Sequence, residues 1–258
     1  MKKPEYIRLN KLVAERSEYS RREADALIQN GFVNVEGEVV TNPADSFDKL
    51  SDISVKNRRL KPPTDFFTAI VYNKPKGELV SKSDPRGRKT IYDSLDKEFK
   101  NFIPVGRLDF ASEGVLILTD SAKVATALME SKLERTYNIK IKGDITKQIE
   151  DAMLSGIELK HSKAGAHEKS APVDMKIEPF VGYKIVKNAP TFSKLSVKIA
   201  EGQNRELRRF FAHFNREIAD LKRVGYGFIN LNALPTGKSR FLSKSEYKDL
   251  RDFIKKGE

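Results

Sequence analysis

Apolar residues in the first sixty positions recur at helical spacing and then alternate. The spacing of apolar positions from Ile7 to Val13 predicts a first helix. A second helix is expected to begin at Ser20, because Ser20 and Glu23 fit a capping box in which each side chain satisfies a free backbone amide. The pair Asn30-Gly31 predicts its end. Alternation over residues 32–40, around a glycine turn, predicts a β-hairpin.

A proline-containing stretch separates this part from a longer one. Lys61-Pro62-Pro63-Thr64-Asp65 cannot continue a helix or a central strand, so we interpret it as a linker. Beyond it, strand and helix patterns mix without regular alternation, which is typical of an α+β fold. We expect two domains, residues 7–60 and residues 66–252. In the second, the pattern predicts strands at 68–72, 115–118, 137–141 and 195–199, short strands within 156–175 with a loop from His161 to Ser170, and helices at 121–130 and 144–155.

A further helix is predicted after the turn at residues 201–204, with Asn204 as its N-cap. Arg205 and Arg209 are expected on the face opposite to the buried one. Arg208 falls at the border, about 100° around the helix from its apolar neighbour, where it can reach an adjacent pocket while its stem stays packed. The predicted buried face follows the i, i+3, i+4, i+7 rule and consists of Leu207, Phe210, Phe211 and Phe214.

The charge of the chain points to a polyanionic partner. The net charge is +12 over 258 residues. Residues 1–60 contain 11 Lys and Arg against 10 Asp and Glu, so the excess lies almost wholly in the longer part. A merely basic protein without such a partner would have the same charge, so this observation alone leaves both possibilities open.

Composition narrows the chemistry and the compartment. Cysteine is absent and only three histidines occur, with none at ligand spacing to another, which argues against a zinc site, a disulfide framework and a Ser/His mechanism. We expect no metal and no cofactor. The charged start of the chain does not resemble a signal peptide, and no apolar run approaches the length of a membrane span. We therefore expect a cytoplasmic protein without a membrane partner.

Asp109 is the candidate for chemistry that the pattern singles out. It lies in a short loop just before the apolar run Val115 to Leu118, which has no alternation and so indicates a strand buried on both faces. A carboxylate on such a rigid base is a candidate nucleophile. The alternative is an aspartate that caps a turn or pairs with Arg107, and residue types alone favour this alternative, since most loop aspartates form turns.

Four sequence blocks that occur in a particular order favour the catalytic interpretation of Asp109 over the turn-forming one. Residues 106–119 contain Gly-Arg-Leu-Asp, two residues, Ser112, one residue, Gly and an apolar run ending in Leu-Thr. This segment resembles the catalytic signature of the bacterial ribosomal pseudouridine synthases of the RsuA family. Residues 72–77, 134–137 and 201–209 resemble the other blocks of the family in the same order, and residues 223–227 and 234–237 resemble its large-subunit synthase B subgroup.

The resemblance implies a fold, a reaction and three catalytic residues. The second domain would be a mixed, largely antiparallel sheet that converts uridine to pseudouridine without a cofactor. Asp109 would be the catalytic carboxylate, Tyr137 the active-site tyrosine and Arg208 the basic residue that pairs with the carboxylate. From residue types alone, Tyr137 is a core strand tyrosine and Arg208 a surface arginine. Departures from the family are Ser112 for Thr, Arg135 for Lys and Glu206 for Gln.

The resemblance also implies RNA-binding residues and partners. The helix-helix-hairpin of residues 7–60 resembles the small S4 RNA-binding module, in which a pair of arginines at a helix start favours phosphate; a capped surface helix with solvated arginines is the alternative. We expect a monomer that acts on ribosomal RNA, from the large subunit, or on a pre-ribosomal particle. A non-catalytic rRNA-binding or ribosome-assembly factor and a transfer-RNA pseudouridine synthase are the competing functions. The expected RNA-binding residues are Arg21, Arg22, Lys74, Lys76, Arg107, Asn204 and Arg205.

Overall fold

A computed structural model of the chain describes residues 6–61, 67–166 and 171–256. These residues form two compact units that divide between Phe67 and Thr68. The α+β prediction is confirmed, since both units combine helices with sheet. Residues 62–65 of the predicted linker and residues 167–170 of the predicted loop lie outside the described residues.

The first unit contains two helices against short strands. Its strands are β1 (Tyr6–Arg8), β2 (Val33–Val35), β3 (Glu38–Val39), β4 (Ser46–Asp48), β5 (Ile53–Val55) and β6 (Arg58–Arg59), and its helices are α1 (Leu9–Arg16) and α2 (Arg21–Gln29). Strands β1 and β4 pair with each other, and the other four form a sheet in the order β3-β2-β5-β6.

The start of α2 is formed as the sequence predicts. The Ser20 hydroxyl accepts from the Glu23 amide at 3.3 Å, and the Glu23 carboxylate accepts from the Ser20 amide at 2.7 Å. The predicted hairpin is confirmed as β2 and β3. The first helix begins two residues later than expected, because Ile7 pairs with Phe47 between β1 and β4. Strands β4 to β6 went unpredicted, since two or three residues are too few to show a period.

The second unit is built on one large sheet. Its strands are β7 (Ala69–Lys74), β8 (Ile103–Pro104), β9 (Glu113–Thr119), β10 (Arg135–Lys142), β11 (Ile157–Ser162), β12 (Val173–Ile177), β13 (Gly182–Lys187), β14 (Phe192–Ile199), β15 (Ile218–Tyr226), β16 (Ile229–Asn230) and β17 (Ser239–Phe241). Its helices are α3 (Ile91–Ser94), α4 (Ala122–Met129), α5 (Lys147–Ser155), α6 (Glu206–His213) and α7 (Lys244–Lys256), with a 3-10 turn at Lys97–Phe99.

The large sheet runs in the order β13-β14-β10-β15-β9-β7-β17, with β16 beside β15 and β8 beside β9. Strands β9 and β15 pair in parallel, while the other strand pairs of this sheet are antiparallel. The expectation of a mixed, largely antiparallel sheet is therefore confirmed. The parallel pair lies at the centre of the sheet, and the Asp109 loop leads directly into β9.

Most predicted elements of this unit are present, and their ends differ for local reasons. The apolar run Val115 to Leu118 is fully buried in β9. Helix α5 begins at Lys147 because Thr146 caps it, its hydroxyl accepting from the Ile149 amide. Strand β11 continues to Ser162, so the predicted loop begins later than His161. Strand β13 was not predicted, because an exposed edge strand shows little apolar alternation. None of the described helices has the length and apolarity that crossing a bilayer requires.

Candidate active site

The loop that carries Asp109 is held by backbone hydrogen bonds at both sides. The Ser112 amide donates to the Asp109 carbonyl oxygen at 3.0 Å, which closes a tight turn. The Gly77 amide donates to the Phe110 carbonyl oxygen at 2.8 Å, which ties the loop to the end of β7. The side chain of Asp109 is 31% exposed. The carboxylate therefore projects from a fixed turn and stays accessible.

Lys74 lies beneath this loop and is fully buried. Its ammonium donates to the carbonyl oxygens of Pro75 at 2.9 Å, Asp109 at 3.2 Å and Ser112 at 3.0 Å. Burial lowers the pKa of Lys74 to about 8, although nearby carboxylates act in the opposite direction. The expected RNA contact of Lys74 is wrong, because all three ammonium donors are used inside the protein. Lys74 instead holds the loop that contains Asp109.

Two arginines from the start of α6 flank the carboxylate of Asp109. Arg208 Nε and Arg205 Nη1 each lie 3.4 Å from Asp109 Oδ2. Arg208 Nη2 donates to the Ala111 carbonyl oxygen at 3.1 Å and to the Ser112 hydroxyl at 3.0 Å. Burial lowers the pKa of Arg208, and the adjacent Asp109 opposes this shift. The guanidinium groups thus orient the loop as well as the carboxylate.

The start of α6 differs from the prediction. The helix begins at Glu206, and the Glu206 carboxylate accepts from the Gln203 amide at 2.8 Å, so Asn204 does not cap it. Arg205 adopts a left-handed φ of 56° at the cap position. This conformation directs its Nε to the Gly165 carbonyl oxygen at 2.7 Å while Nη1 faces Asp109.

Arg209 was expected opposite the buried face of α6, and this expectation is wrong. The residue is 3% exposed. Its Nε donates to the Asn204 carbonyl oxygen at 3.2 Å and its Nη1 to the Ser162 carbonyl oxygen at 3.4 Å. Strand β11 and the turn after it therefore cover this side of α6, which helical periodicity alone could not show. Leu207, Phe210 and Phe211 are buried as predicted.

Tyr137 lies on β10 and is 7% exposed. It is the register partner of Arg223 on β15 and of Val197 on β14. No hydrogen bond links its hydroxyl to any residue that the structure describes. The hydroxyl is therefore available to a ligand, and the residue lines the same cavity as Asp109.

A cavity of about 260 Å³ joins these residues. Asp109, Tyr137 and Arg208 all line it, so the structure brings together the three predicted catalytic residues, which are far apart in sequence. Ile199, Leu207 and Leu221 supply apolar walls. Five arginines line the cavity against two carboxylates, which favours an anionic or electron-rich ligand; the arginines are Arg107, Arg135, Arg205, Arg208 and Arg223, and the carboxylates Asp109 and Glu206.

One wall of the cavity was not anticipated as part of the site. Arg135 and Arg223 lie over the ring of Tyr226, with guanidinium carbons 4.8 and 5.3 Å from its centroid. Arg135 donates to the Ala200 carbonyl oxygen at 2.6 Å and to the Tyr226 hydroxyl at 3.0 Å. In the sequence, Arg223 and Tyr226 indicate only a resemblance to the synthase B subgroup. The signal that could have found Arg223 is its position two residues after Leu221, on the same buried face of a strand.

The other expected RNA-binding residues lie at the surface, and their RNA contacts stay predictions. Arg107 is exposed and lines the cavity. Lys76 is exposed and paired with Asp220. Asn204 is exposed as well. In the first unit, Arg21 and Arg22 are exposed at the start of α2.

Among the residues that the structure describes, no three carboxylate or imidazole side chains are grouped so as to hold a metal ion. The donor set around the cavity is dominated by guanidinium groups, which repel cations. The arrangement is a carboxylate contacted by two arginines, together with an aromatic hydroxyl, in one cavity that has apolar walls. Such a site can position a planar ring against an ionised carboxylate and offer a proton-transfer group next to it.

Comparisons with known proteins agree with this geometry. The family described as RNA pseudouridylate synthase matches residues 68–213, and the S4 domain family matches residues 7–49. An uncharacterized RNA pseudouridine synthase of Helicobacter pylori is 49% identical over 255 residues, which cover 96% of this chain and 95% of that protein. A Bacillus subtilis protein named ribosomal large subunit pseudouridine synthase B is 33% identical over 247 residues and covers 95% of each chain.

A solved structure described as a pseudouridylate synthase shares the fold. Its TM-score is 0.64 at 24% sequence identity, and the match covers 95% of this chain and 99% of the other. The resemblance to the family, and within it to synthase B, is thereby confirmed. The chain belongs to the RNA pseudouridine synthases, as an isomerase with an amino-terminal S4 domain.

Proposed function

We propose that this enzyme isomerises one or more uridines of ribosomal RNA to pseudouridine, with Asp109 as the catalytic carboxylate. The observation that carries the proposal is the position of Asp109 Oδ2, which lies 3.4 Å from both Arg205 and Arg208 at the wall of the cavity. The two adjacent guanidinium groups hold this carboxylate oxygen in place through charged contacts. Partial exposure leaves the Asp109 side chain accessible to a nucleotide.

The reaction fits the groups at the site. The bond between ribose carbon 1 and uracil nitrogen 1 breaks, a bond from ribose carbon 1 to uracil carbon 5 forms, and the proton on carbon 5 is replaced by one on nitrogen 1. No electron, group donor or energy source is consumed. An ionised Asp109 can act on the base or the sugar, and the Tyr137 hydroxyl is placed to move a proton.

Access to the cavity requires an unstacked nucleotide. Enzymes that act on a base take it out of the helical stack, and aromatic faces support the extruded ring. Tyr137 supplies such a face, and Ile199, Leu207 and Leu221 supply apolar contact. Arg107 is exposed at the cavity, where it can meet the phosphate backbone.

Ribosomal RNA is the substrate that the relatives favour. A relative at 33% identity bears the name ribosomal large subunit pseudouridine synthase B. The S4 domain match adds a second RNA-binding unit to the catalytic one. We infer that the target lies in large-subunit rRNA, as naked RNA or in an assembling particle.

Pseudouridine mapping tests this function directly. Ribosomal and transfer RNA are compared from cells with the gene, without it, and without it but complemented by the Asp109→Asn variant. We expect a large-subunit rRNA uridine to lose its modification in the second and third strains. A change confined to transfer RNA would overturn the substrate, and restoration by Asp109→Asn would overturn the catalytic carboxylate.

A further inference from the structure

Arg223 is a cavity-lining arginine whose hydrogen-bonding capacity is unfilled. It is 4% exposed, and its Nε donates to the Val115 carbonyl oxygen at 2.7 Å. Its Nη2 is also buried but makes no hydrogen bond with any described residue. A buried donor without an acceptor is costly to the folded protein. Because Arg223 lines the cavity, a ligand can supply the missing acceptor.

The position of Arg223 on the sheet places it beside Tyr137 in the wall of the cavity. It is the register partner of Tyr137, so both side chains leave the same face of the sheet. The neighbouring Arg135 donates from Nη1 to the Ala200 carbonyl oxygen and from Nη2 to the Tyr226 hydroxyl. Arg208 Nε likewise lacks a hydrogen bond among the described residues, but it faces the Asp109 carboxylate at 3.4 Å. No carboxylate of the described residues pairs with Arg223.

The burial of Arg223 selects the part of a nucleotide that can reach it. Arg107 is exposed and can meet a phosphate, whereas Arg223 is nearly inaccessible from outside. A nucleotide that enters the cavity base first presents the edge of its ring to Arg223. Uracil has two ring carbonyl oxygens, which are acceptors. A guanidinium is a donor without acceptor capacity, so it binds a carbonyl and rejects an amino group.

We propose that Arg223 donates a hydrogen bond to a ring carbonyl of the target uracil and thereby selects uracil over cytosine. This inference rests on the proposed function. Nitrogen 1 and carbon 5 both flank carbon 6, so isomerisation requires a half-turn of the ring about the line through carbon 6 and nitrogen 3. That turn exchanges the two carbonyls of uracil, and the same donor faces an oxygen before and after it. In cytosine one of these positions carries an amino group.

A kinetic test combines substitutions of Arg223 with substrates that are altered at a uracil carbonyl oxygen. The full-length enzyme acts, under single-turnover conditions, on rRNA transcripts with uridine, 2-thiouridine or 4-thiouridine at the modified position, since sulphur is a weaker acceptor than oxygen. We expect Arg223→Met to slow the uridine reaction about 10- to 100-fold. Thio-substitution should slow the wild type clearly and the Met variant little, while Arg223→Lys should restore part of the rate.

Arg135→Met is the matched control, because Arg135 lies over the same ring but both of its terminal guanidinium nitrogens are already bonded. The Arg135→Met variant should lower the reaction rate of all three substrates by the same factor, so the ratio of uridine to thiouridine rates should stay that of the wild type. If Arg223→Met also leaves that ratio unchanged, its effect is structural and the proposal is overturned. Thermal unfolding of each variant accompanies the rates.

A binding test separates this proposal from the proposed function. Affinities for short uridine and cytidine oligonucleotides are measured with Asp109→Asn, which needs no turnover, and with Asp109→Asn/Arg223→Met. We expect a preference for uridine that the second variant loses. Turnover by the wild type together with an unchanged preference would overturn the role of Arg223 alone. A preference that depends on Arg223 in a protein without turnover would support the role of Arg223 and overturn the reaction.

Discussion

Gly114 lies directly opposite Arg223 where β9 and β15 run parallel, and a Cβ atom on Gly114 would come 2.1 Å from the Arg223 carbonyl oxygen. Gly114 also has a φ of +105°, which L side chains rarely adopt. The glycine thus permits the close approach of two strands just after the Asp109 loop. Arg208 donates hydrogen bonds to this loop, at the Ala111 carbonyl oxygen and the Ser112 hydroxyl, three and two positions before Gly114.

Gly114→Ala should therefore destabilise the protein by at least about 2 kcal/mol, through both steric overlap and backbone strain. Denaturant unfolding of the full chain measures the change. Gly182→Ala is the matched control, because a Cβ there meets no atom within 4 Å and the residue has no positive φ; it should change stability by less than about 1 kcal/mol. Equal effects of the two substitutions would contradict the steric argument.

Asp109→Asn should abolish isomerisation while RNA affinity and thermal stability stay close to those of the wild type. Asn keeps the size and turn-forming ability of Asp but lacks the anionic oxygen that faces Arg205 and Arg208. Release of tritium from RNA labelled at uracil carbon 5 reports the chemical step. Asp249→Asn makes the same change of charge at an exposed position of α7 and should keep full activity. Turnover of Asp109→Asn within tenfold of the wild type would contradict the assignment of Asp109 as the catalytic carboxylate.

Arg208→Ala should slow the chemical step more than it weakens RNA binding. The side chain lies beside Asp109 Oδ2 and also holds the loop at Ala111 and Ser112, so its loss frees both the carboxylate and its support. We expect a rate decrease of at least about 30-fold in single turnover. Arg251→Ala, at an exposed position of α7, is the control for lost charge. A loss confined to affinity would make Arg208 an ordinary phosphate contact.

Arg21→Ala/Arg22→Ala should weaken binding to structured rRNA without changing the rate of the bound complex. Both residues are exposed at the start of α2, where free amides favour phosphate. The slope of log affinity against log salt should fall by about 2, as expected for two lost phosphate contacts. Lys255→Ala/Lys256→Ala removes the same charge from exposed positions at the end of α7. If the slope falls equally in the Lys255→Ala/Lys256→Ala control, the effect comes from the net charge and not from phosphate contacts of Arg21 and Arg22.

Lys74 should give the stability of the protein a characteristic pH dependence. Its folded pKa of about 8 lies below the ordinary value of 10.5, so between these pH values the unfolded chain binds more protons than the folded one. The free energy of unfolding should therefore rise with pH across this window, by up to about 3 kcal/mol relative to Lys74→Met. Denaturant unfolding of both proteins at pH 7 and pH 10 measures the difference. A parallel response of the two would contradict the buried ammonium.

Local patterns in the sequence predicted much of the frame of the site. The apolar run of β9, the alternation of β10 and the buried face of α6 are each visible in the local order of apolar and polar residues. The grouping of Asp109, Tyr137 and Arg208 came from the resemblance to a family, because no period links positions so far apart.

Other parts of the site depend on long-range packing and could not be predicted. Lysine is normally a surface residue, and Lys74 is buried only because carbonyl oxygens from three later positions meet its ammonium. Arg209 is covered by β11 and the turn after it. Arg205 faces Asp109 because its backbone is left-handed, a conformation that its residue type does not favour.

The ammonium of Lys74 joins the end of one strand to a loop 35 to 38 positions later in the chain. The Asp109 turn therefore cannot open while β7 and β9 remain paired without leaving a buried charge unbonded. Hydrogen exchange at the Ser112 amide should accordingly follow global unfolding and not local loop motion. We expect a loop held in this way to keep its shape when a substrate binds. On the proposed function, we expect the distortion that brings a base to Asp109 to fall on the RNA, so that strained stems and loops are modified fastest.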